Sequence, residues 1–294
     1  MAKTYLDENK HNLGVLLILL SAFSFSCMSL FVAKSSRIHL FEQTFFRNLI
    51  GLVIAGTFCV KNQLPLFGEK RYQPQMFARS IFGFLAVVTL FYSSRHANLA
   101  DMAVVLRTGM FTISLVSVLF LGEKLTRMHI PAMLIAFAGA WIAANPHFDS
   151  SVLPLLAAFA SALCDTVSYP LLSYFSGRVN PMSVIMHFCT FSTILAGILM
   201  IPYFTVPTGM ELFYLMMIGI SAAVGQISMT YAYKMAAAGE LSVYNQSQII
   251  MNALLAMLFL KQKIEIRTVI GGFFVLLASL LLYISKQKKH EKTN

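Results

Sequence analysis

Charged side chains are scarce in this sequence. They make up 12% of its 294 residues, whereas an average soluble chain has about a quarter. So few charges cannot cover a folded domain in water, and this scarcity excludes a soluble enzyme. What the sequence has instead is apolar length, because 57% of its residues are hydrophobic. A helix needs about 20 apolar residues to cross a membrane, so the composition predicts a multi-pass membrane protein with little mass outside the bilayer.

Several kinds of chemical site are also missing. The four cysteines lie inside apolar stretches without metal-ligand spacing, which predicts small core residues: Cys27, Cys59, Cys164 and Cys189. The sequence has no Gly-Lys-Ser/Thr phosphate loop, no paired histidines for zinc and no Gly-x-Ser-x-Gly turn. We therefore expect no cofactor, no metal and no ATP-driven activity on this chain.

The charge that is present is mostly positive, with 22 Lys and Arg against 12 Asp and Glu. In a soluble protein this excess would suggest nucleic acid as a partner. Here the basic residues lie in short loops and in a tail that contains Lys286, Lys288, Lys289 and Lys292. This placement predicts contact with anionic membrane lipids and no nucleic acid. The Lys and Arg distribution between alternate loops favours the cytoplasmic membrane, with both termini in the cytoplasm.

The apolar runs predict ten membrane-spanning helices, separated by joints that are rich in proline and glycine. The predicted spans are 13–33, 40–60, 76–94, 98–121, 129–144, 151–175, 181–201, 212–233, 241–260 and 268–285. No segment between them is long enough to form a separate soluble domain. The fold class is therefore an all-α membrane protein.

An internal repeat is found when the sequence is compared with itself at an offset of 139 residues. The shift places the Leu-Phe-Leu run 119–121 on the identical run 258–260, and it matches charges at the intervening joints. The matched pairs are Tyr92 with Tyr231, Arg95 with Lys234, Asp101 with Glu240 and Lys124 with Lys263. These matches predict two homologous halves, 1–146 and 147–294, each with five spans. An odd number of spans inverts the second half, and a five-plus-five inverted repeat around a central cavity is typical of transporters.

Short motifs carry a resemblance to a known family. Phe45, Phe46 and Arg47, together with the Leu-Phe-Leu-Gly-Glu-Lys run 119–124, resemble the drug/metabolite transporter superfamily and its bacterial EamA-type members. Arg47 preceded by Glu42, and followed by Arg79 and Asp165, is similar to a branch that includes S-adenosylmethionine uptake carriers. The resemblance implies a helical bundle whose central cavity opens alternately to either side. Other EamA-type members carry amino acids, riboflavin or metallophores, so the resemblance leaves the substrate open.

Charged side chains inside the predicted spans are the first candidates for a substrate site, because each costs at least about 2.5 kcal/mol in the hydrocarbon core unless it is paired or hydrated. Arg47 and Arg107 suit a carboxylate or a phosphate. Alternatively, Arg47 pairs with Glu42 or anchors a helix end. Asp165 is a candidate proton carrier or amine ligand, or a structural partner of an arginine. Arg79, at the start of a span, is favoured as an interfacial anchor.

A polar stripe in the ninth span provides further candidates. Asn245, Gln248 and Asn252 have the spacing i, i+3, i+7 on one helix face and follow Tyr244. Lipid would penalise such a stripe, so we expect it either to line the cavity or to hydrogen-bond neighbouring helices. Tyr92, Tyr169 and Gln226 are further substrate-binding candidates, whereas His187 fits a satisfied polar residue better than a proton relay. The shift of 139 residues also aligns Gln246 with Arg107.

The sequence therefore predicts a secondary carrier for a small anionic or zwitterionic metabolite, such as an amino-acid derivative or a cofactor like S-adenosylmethionine. Proton coupling through Asp165 is a hypothesis that follows from its depth and isolation. The small-xxx-small spacing of Ala136, Ala140 and Ala144 indicates close packing within the bundle or across a homodimer. The alternatives are an exporter of drugs or cationic amphiphiles, a membrane-embedded enzyme for lipid-linked substrates, and a scaffold that transports nothing.

Overall fold

The computed structural model describes residues 2–97, 99–122, 127–145, 152–260 and 266–291, and all regular structure within these ranges is helical. The predicted boundary between the halves, at residues 146 and 147, lies outside the described residues. So do Lys124, Lys263 and Lys292. The prediction of an all-α protein is confirmed for the part of the chain that is described.

Twelve α-helices occur in the described ranges. They are α1 (Ala2–Lys34), α2 (Leu40–Lys61), α3 (Gln73–His96), α4 (Leu99–Arg107), α5 (Gly109–Leu121), α6 (His129–Ala144), α7 (Val152–Tyr174), α8 (Pro181–Met200), α9 (Gly209–Met235), α10 (Ala238–Tyr244), α11 (Gln248–Leu260) and α12 (Ile266–Glu291). Short 3₁₀ turns occupy Lys70–Tyr72, Ile201–Tyr203 and Asn245–Ser247.

Among the described residues, eight helical segments are long and apolar enough to cross a membrane, which identifies a multi-pass membrane protein. They are Lys10–Lys34, Leu40–Lys61, Lys70–His96, Val104–Leu121, Val152–Tyr174, Pro181–Tyr203, Gly209–Met235 and Ile266–Ser285. The predicted span 129–144 corresponds to α6, whose apolar part, His129–Ile142, is shorter than these eight. The predicted span 241–260 is divided into two helices. Eight segments, rather than the predicted ten, therefore meet the length and composition of a span.

The fourth predicted span, 98–121, is not one continuous α-helix. It is interrupted at Thr108, between α4 and α5. The backbone N–H of Thr108 donates to the carbonyl of Val105 at 3.1 Å, and its side-chain hydroxyl donates to the same carbonyl at 2.7 Å. A side chain that bonds back to the preceding turn in this way competes with the regular helix ladder. The hydrophobic pattern continues through Thr108 and therefore gave no sign of the interruption.

The ninth predicted span is interrupted at the corresponding place. α10 ends at Tyr244, the 3₁₀ turn Asn245–Ser247 follows, and α11 begins at Gln248. The prediction that Asn245, Gln248 and Asn252 share one face of a single helix is therefore wrong for Asn245, which lies in the 3₁₀ turn. Residue 108 falls on residue 247 after the shift of 139 residues, so the two interruptions are at equivalent positions of the repeat.

The helices pack mainly across the two parts of the chain. The principal partners are α1 with α9, α3 with α7, α2 with α8, and α6 with α12. The last pair approaches so closely that a Cβ atom on Gly139 would lie 2.6 Å from the carbonyl oxygen of Gly271. Ala136 and Ala140 are fully buried on α6, so packing within the bundle accounts for these two members of the alanine stripe.

Candidate functional site

Four ionisable side chains meet the interior of the bundle from four different helices. Arg47 lies on α2, Arg79 on α3, Arg107 at the end of α4 and Asp165 on α7. The exposed fractions of Arg47 and Arg79 are 7% and 3%, while Arg107 and Asp165 are half-buried. Among the described residues, these three guanidinium groups lie within the bundle, and Asp165 is the carboxylate that acts on Arg47 and Arg79.

Arg47 and Arg79 lie close to the same aromatic ring. The guanidinium carbon of Arg79 is 4.5 Å from the ring centroid of Phe188, and that of Arg47 is 6.0 Å from it. Arg47 also donates a hydrogen bond from Nη1 to Oδ1 of Asn48 at 2.9 Å. The Nε atoms of both arginines and Nη1 of Arg79 are buried and have no hydrogen-bond partner among the described residues. These nitrogen atoms are donors that a bound anion can use.

The burial of Arg79 corrects the expectation that it anchors a helix end at the membrane surface. The span was predicted to begin at residue 76, but α3 begins at Gln73 and follows the 3₁₀ turn Lys70–Tyr72. Arg79 is therefore nearly two turns inside the helix. Gly83, one turn later, leaves space for it, since a Cβ atom there would lie 2.1 Å from Nη1 of Arg79. In the sequence, the glycine four residues after Arg79 was the available sign that its side chain has room inside the bundle.

Asp165 lies beside Tyr169, one turn further along α7. The side chains that act on the charge of Asp165 are Arg79, Tyr169 and Arg47. Within the described residues, none of the ion pairs closer than 4.0 Å joins Asp165 to an arginine. Asp165 is therefore near the arginines without forming a close structural salt bridge to either of them.

The alternative pairing of Arg47 with Glu42 does not occur. Glu42 is fully buried and accepts a hydrogen bond from the backbone N–H of Thr205 at 3.2 Å. The side-chain partner of Arg47 is Asn48 instead.

Arg107 joins the two interrupted spans. Its Nη1 donates to Oε1 of Gln246 at 3.0 Å, and the amide nitrogen of Gln246 donates to the carbonyl of Ser242 at 2.9 Å. Arg107 and Gln246 are aligned by the shift of 139 residues. Equivalent positions of the two halves are therefore in contact here. Nε of Arg107 is buried without a hydrogen-bond partner among the described residues. Tyr169 is the charged or polar neighbour that acts on Arg107 as well as on Asp165.

A small cavity lies against Arg47. Arg47, Asn48 and Gln226 supply its polar lining, and Phe188 and Cys189 supply part of its apolar lining. It has room for about one water molecule, so it is far smaller than the predicted central cavity. The amide of Gln226 donates to Oγ1 of Thr230 at 3.3 Å. The structure thus brings Gln226 together with Arg47, as the sequence suggested.

The remaining candidates lie elsewhere. Tyr92 stacks on His96 near the end of α3, with ring centroids 4.5 Å apart, and is not part of this group. Tyr244 packs in the hydrophobic core, and its hydroxyl is buried without a hydrogen-bond partner among the described residues, as are the amide oxygens of Asn245 and Asn252. Gln248 is half-buried at the start of α11. Of the polar run, Gln246 is the member that contacts a buried arginine.

His187 fits the expectation of a satisfied polar side chain. Its Nδ1 shares a hydrogen bond of 2.8 Å with the hydroxyl of Ser80, and its ring lies edge-on to Phe77 with centroids 4.7 Å apart. Both neighbours belong to α3, so His187 joins α8 to that helix.

Polar contacts close both ends of the bundle. At one end, Arg37 donates to Glu211 through Nε at 2.7 Å and through Nη2 at 2.5 Å. At the other end, Nε2 of His11 lies 3.3 Å from Oε1 of Glu240. From His11 to the end of α1 at Lys34, just before Arg37, the helix rises over 23 residues, which corresponds to roughly 35 Å. We refer to these as the Arg37 end and the His11 end.

Comparison with known proteins gives a consistent picture. A family model described as the EamA-like transporter family matches residues 12–145 and again residues 152–284. The pseudopaline exporter CntI of Pseudomonas aeruginosa is 29% identical over 94% of this chain and 97% of its own length. The S-adenosylmethionine uptake transporter of Rickettsia bellii is 24% identical over 94% of each chain. A solved crystal structure superposes with a TM-score of 0.81 at 17% identity, covering 93% of this chain and 98% of the other, which supports the fold.

Proposed function

The chain belongs to the EamA-like transporter family, and we propose that it is a secondary carrier that moves a small anionic or zwitterionic metabolite by alternating access. Membrane transport of small metabolites is what its named relatives share. They include the pseudopaline exporter, the S-adenosylmethionine uptake transporter and a riboflavin transporter of Rhizobium johnstonii, which is 27% identical over 63% of this chain. The substrates in these names differ, so the charge preference has to come from the site.

The observation that carries the proposal is the excess of positive charge around Tyr169. Arg47, Arg79 and Arg107 contribute three guanidinium groups, and Asp165 contributes one carboxylate. Removing a charge from water costs several kcal/mol unless a partner compensates for it, and four guanidinium nitrogens have no hydrogen-bond partner among the described residues. An anionic group bound between these helices would supply that partner, whereas a cation would add to the repulsion.

Alternating access requires two ends that can open in turn. The Arg37 end is closed by the ion pair of Arg37 with Glu211, and the His11 end by the polar contact of His11 with Glu240, each joining different parts of the chain. Opening one end would break one pair while the other pair held the opposite end closed. Release of Arg37 from Glu211 and release of His11 from Glu240 are therefore the two gating steps in this proposal.

The helix packing supports the proposed five-plus-five inverted repeat, with halves 1–146 and 147–294. In that repeat α1 corresponds to α7, α3 to α9, α2 to α8, and α6 to α12. If each helix is replaced by its counterpart in the other half, the contact of α1 with α9 becomes the contact of α7 with α3. Both contacts occur in the structure. The pairs α2 with α8 and α6 with α12 are each converted into themselves. This is the packing expected of two halves related by an approximate twofold axis.

We further propose that the carrier lies in the cytoplasmic membrane with both termini in the cytoplasm, and that Asp165 carries the coupling proton. Asp165 is half-buried next to Tyr169 without a close ion pair, so gaining or losing a proton there would change the charge of the site directly. The variant Asp165→Asn should bind solute but lose accumulation driven by a pH gradient in vesicles. Full gradient-driven accumulation in this variant would exclude Asp165 as the coupling group.

The first experiment is a thermal-shift screen of the detergent-purified chain against glutarate, L-glutamine and tetraethylammonium. A ligand that binds only the folded state raises its stability by RT ln(1 + [L]/Kd). We expect a concentration-dependent shift with the anion or the zwitterion that is lost in Arg47→Ala and kept in Arg178→Ala, an exposed control. Shifts confined to tetraethylammonium would favour an exporter of cations. No shift with any probe, together with no uptake in vesicles, would favour an enzyme or a scaffold.

A further inference from the structure

We propose that the substrate is a dicarboxylate, whose two carboxylate groups bind separate arginine subsites, one beside Phe188 and one beside Gln246. The inference rests on the proposed function, since it assumes that the buried arginines contact the transported solute. It goes further by specifying the number of anionic groups and their position at the two ends of the molecule.

The first subsite is formed by Arg47 and Arg79 around Phe188. Their guanidinium carbons lie 6.0 Å and 4.5 Å from its ring centroid, and they present three nitrogens without a hydrogen-bond partner among the described residues. Phe188 is fully buried, so the ring that both planar groups approach lies inside the bundle. Two guanidinium groups that meet at one ring form a site for a single carboxylate, with donors on both sides of it.

The second subsite is Arg107, which Gln246 holds through a hydrogen bond of 3.0 Å. Arg47 and Arg79 approach one ring, that of Phe188, whereas the side chain of Arg107 is bonded to Gln246 in the other interrupted span. Arg107 is therefore a separate positive site. Gln246 occupies one of its nitrogens and carries no charge, so it positions the guanidinium group without neutralising it.

The charges of the two subsites determine the class of solute. Asp165 is close to Arg79 and Arg47 and offsets one of these two positive charges, which leaves one uncompensated positive charge at each subsite. A phosphate monoester concentrates its charge on one group and would satisfy one subsite alone. A molecule with two singly charged groups at its ends satisfies both. A dicarboxylate therefore fits better than a phosphate ester or a simple zwitterion.

Matched probes test this directly on the full purified chain. The dicarboxylates succinate, glutarate and adipate are compared with their half-amides, which keep the length of the molecule and remove one charge. In the wild type, we expect at least one dicarboxylate to bind about tenfold or more tightly than its half-amide, as measured by thermal shift and by equilibrium binding. Glycerol 3-phosphate, the phosphate probe, should bind less tightly than that dicarboxylate.

Two variants test the assignment of the second subsite. Arg107→Gln should weaken the dicarboxylate to the affinity of its half-amide and leave the half-amide unchanged. Gln246→Glu keeps Arg107 but places a carboxylate on it, so it should produce the same selective loss. The control Arg178→Gln removes an exposed arginine and should change neither affinity. A variant that only disturbs folding would weaken both ligands equally.

Three results would overturn the inference: half-amides that bind as tightly as dicarboxylates, an equal loss of both ligands in Arg107→Gln, or no binding of any dicarboxylate. If half-amides or L-glutamine bind and are transported while dicarboxylates have no advantage, the inference fails and the proposed carrier function stands. If the wild-type chain binds cations alone, the proposed function fails as well.

Discussion

Gly83 determines where the guanidinium group of Arg79 can lie. A Cβ atom at position 83 would lie 2.1 Å from Nη1 of Arg79 and 3.0 Å from Cε2 of Phe188, closer than unstrained atoms approach. Because the end of the arginine side chain is the more mobile neighbour, Gly83→Ala should displace Arg79 and leave the helices in place. We expect glutarate affinity to fall about tenfold. The thermal midpoint without ligand should change little, because alanine favours a helix over glycine by roughly 0.5–1 kcal/mol and this gain offsets the cost of displacing the arginine.

A matched control separates this effect from the general consequences of replacing a helical glycine. Gly56 lies within α2, and a Cβ atom there would lie 3.5 Å from Sδ of Met186, an ordinary contact. Gly56→Ala should therefore leave glutarate affinity unchanged. Equal affinities in Gly83→Ala and the wild type would show that the position of Arg79 does not matter for binding.

His39 provides a pH-dependent contact at the Arg37 end, in the loop before α2. Its Nδ1 accepts a hydrogen bond from the backbone N–H of Phe41 at 3.4 Å, and its ring stacks on Tyr203 with centroids 4.3 Å apart. Partial burial, and then the positive charge of Arg95, hold the pKa of His39 below its usual value of 6.5. The folded state therefore favours the neutral ring, which can accept the hydrogen bond.

The sign of the pH effect follows from that lowered pKa. The stabilisation is present above the unfolded value of about 6.5 and is lost as the pH falls through the folded value, because the unfolded chain then binds more protons. The thermal midpoint of the wild type should fall between pH 7.5 and pH 5. In His39→Asn, which keeps an acceptor at the N-cap without titrating, the fall should be smaller by roughly 2 °C. The same fall in both proteins would contradict a contribution from His39.

At this scale the sequence identified the site residues unevenly. Arg47, Arg107 and Asp165 were found because a charge inside an apolar run stands out. Arg79 was misjudged because the helix begins before the apolar run does, so its depth was hidden by the polar residues that precede it. Tyr92 was selected by residue type alone, and its distance from the arginines depends on how α3 packs.

The two interruptions matter most at the scale of helices. Thr108 separates α4 from α5, and Asn245–Ser247 separates α10 from α11, with Arg107 bonded to Gln246 between them. The geometry of 3₁₀ hydrogen bonds is poorer than that of α-helical ones, so these turns should open more readily than an unbroken helix. In hydrogen–deuterium exchange, peptides covering 105–111 and 244–249 should exchange at least about tenfold faster than the peptide 186–193 of α8.

Adding glutarate should slow exchange at both interruptions together, because a ligand on Arg107 would tie the two turns through Gln246. Peptide 274–281 of α12, which contains none of the site residues, serves as the control and should not respond. Protection at 105–111 without protection at 244–249 would show that the Arg107–Gln246 contact does not couple the two spans. Neither interruption could be predicted from hydrophobicity, since the apolar period continues through Thr108 and the polar run after Tyr244 fits a helix face as well as a 3₁₀ turn.

For the whole molecule, the repeat was the most informative feature of the sequence. A shift found by matching residues such as Arg95 and Lys234 placed the two interruptions at equivalent positions and paired Arg107 with Gln246. It could not specify which helices touch, because that depends on how the halves interlock. Close approaches such as that of Gly139 to Gly271 require the packed structure.

The orientation of the halves leads to a prediction about labelling. Ser36 is exposed in the loop between α1 and α2, and Arg178 is exposed in the loop between α7 and α8. The shift of 139 residues places these two loops at equivalent positions, so an inverted repeat puts them on opposite sides of the membrane. In a background with the four native cysteines replaced by alanine, a membrane-impermeant maleimide should label Ser36→Cys in intact cells. Arg178→Cys should be labelled only after the membrane is opened.

Cytoplasmic termini further determine which of the two loops faces out. α1 runs from the N-terminus to Ser36, so a single crossing places Ser36 outside, and Lys70→Cys in the loop between α2 and α3 should behave like Arg178→Cys. Labelling of Lys70→Cys and Arg178→Cys but not Ser36→Cys in intact cells would keep the inverted repeat and reverse the orientation. Labelling of Ser36→Cys and Arg178→Cys from the same side would exclude the inverted repeat. It would also contradict the proposed transport, which depends on the Arg37 end and the His11 end opening in turn.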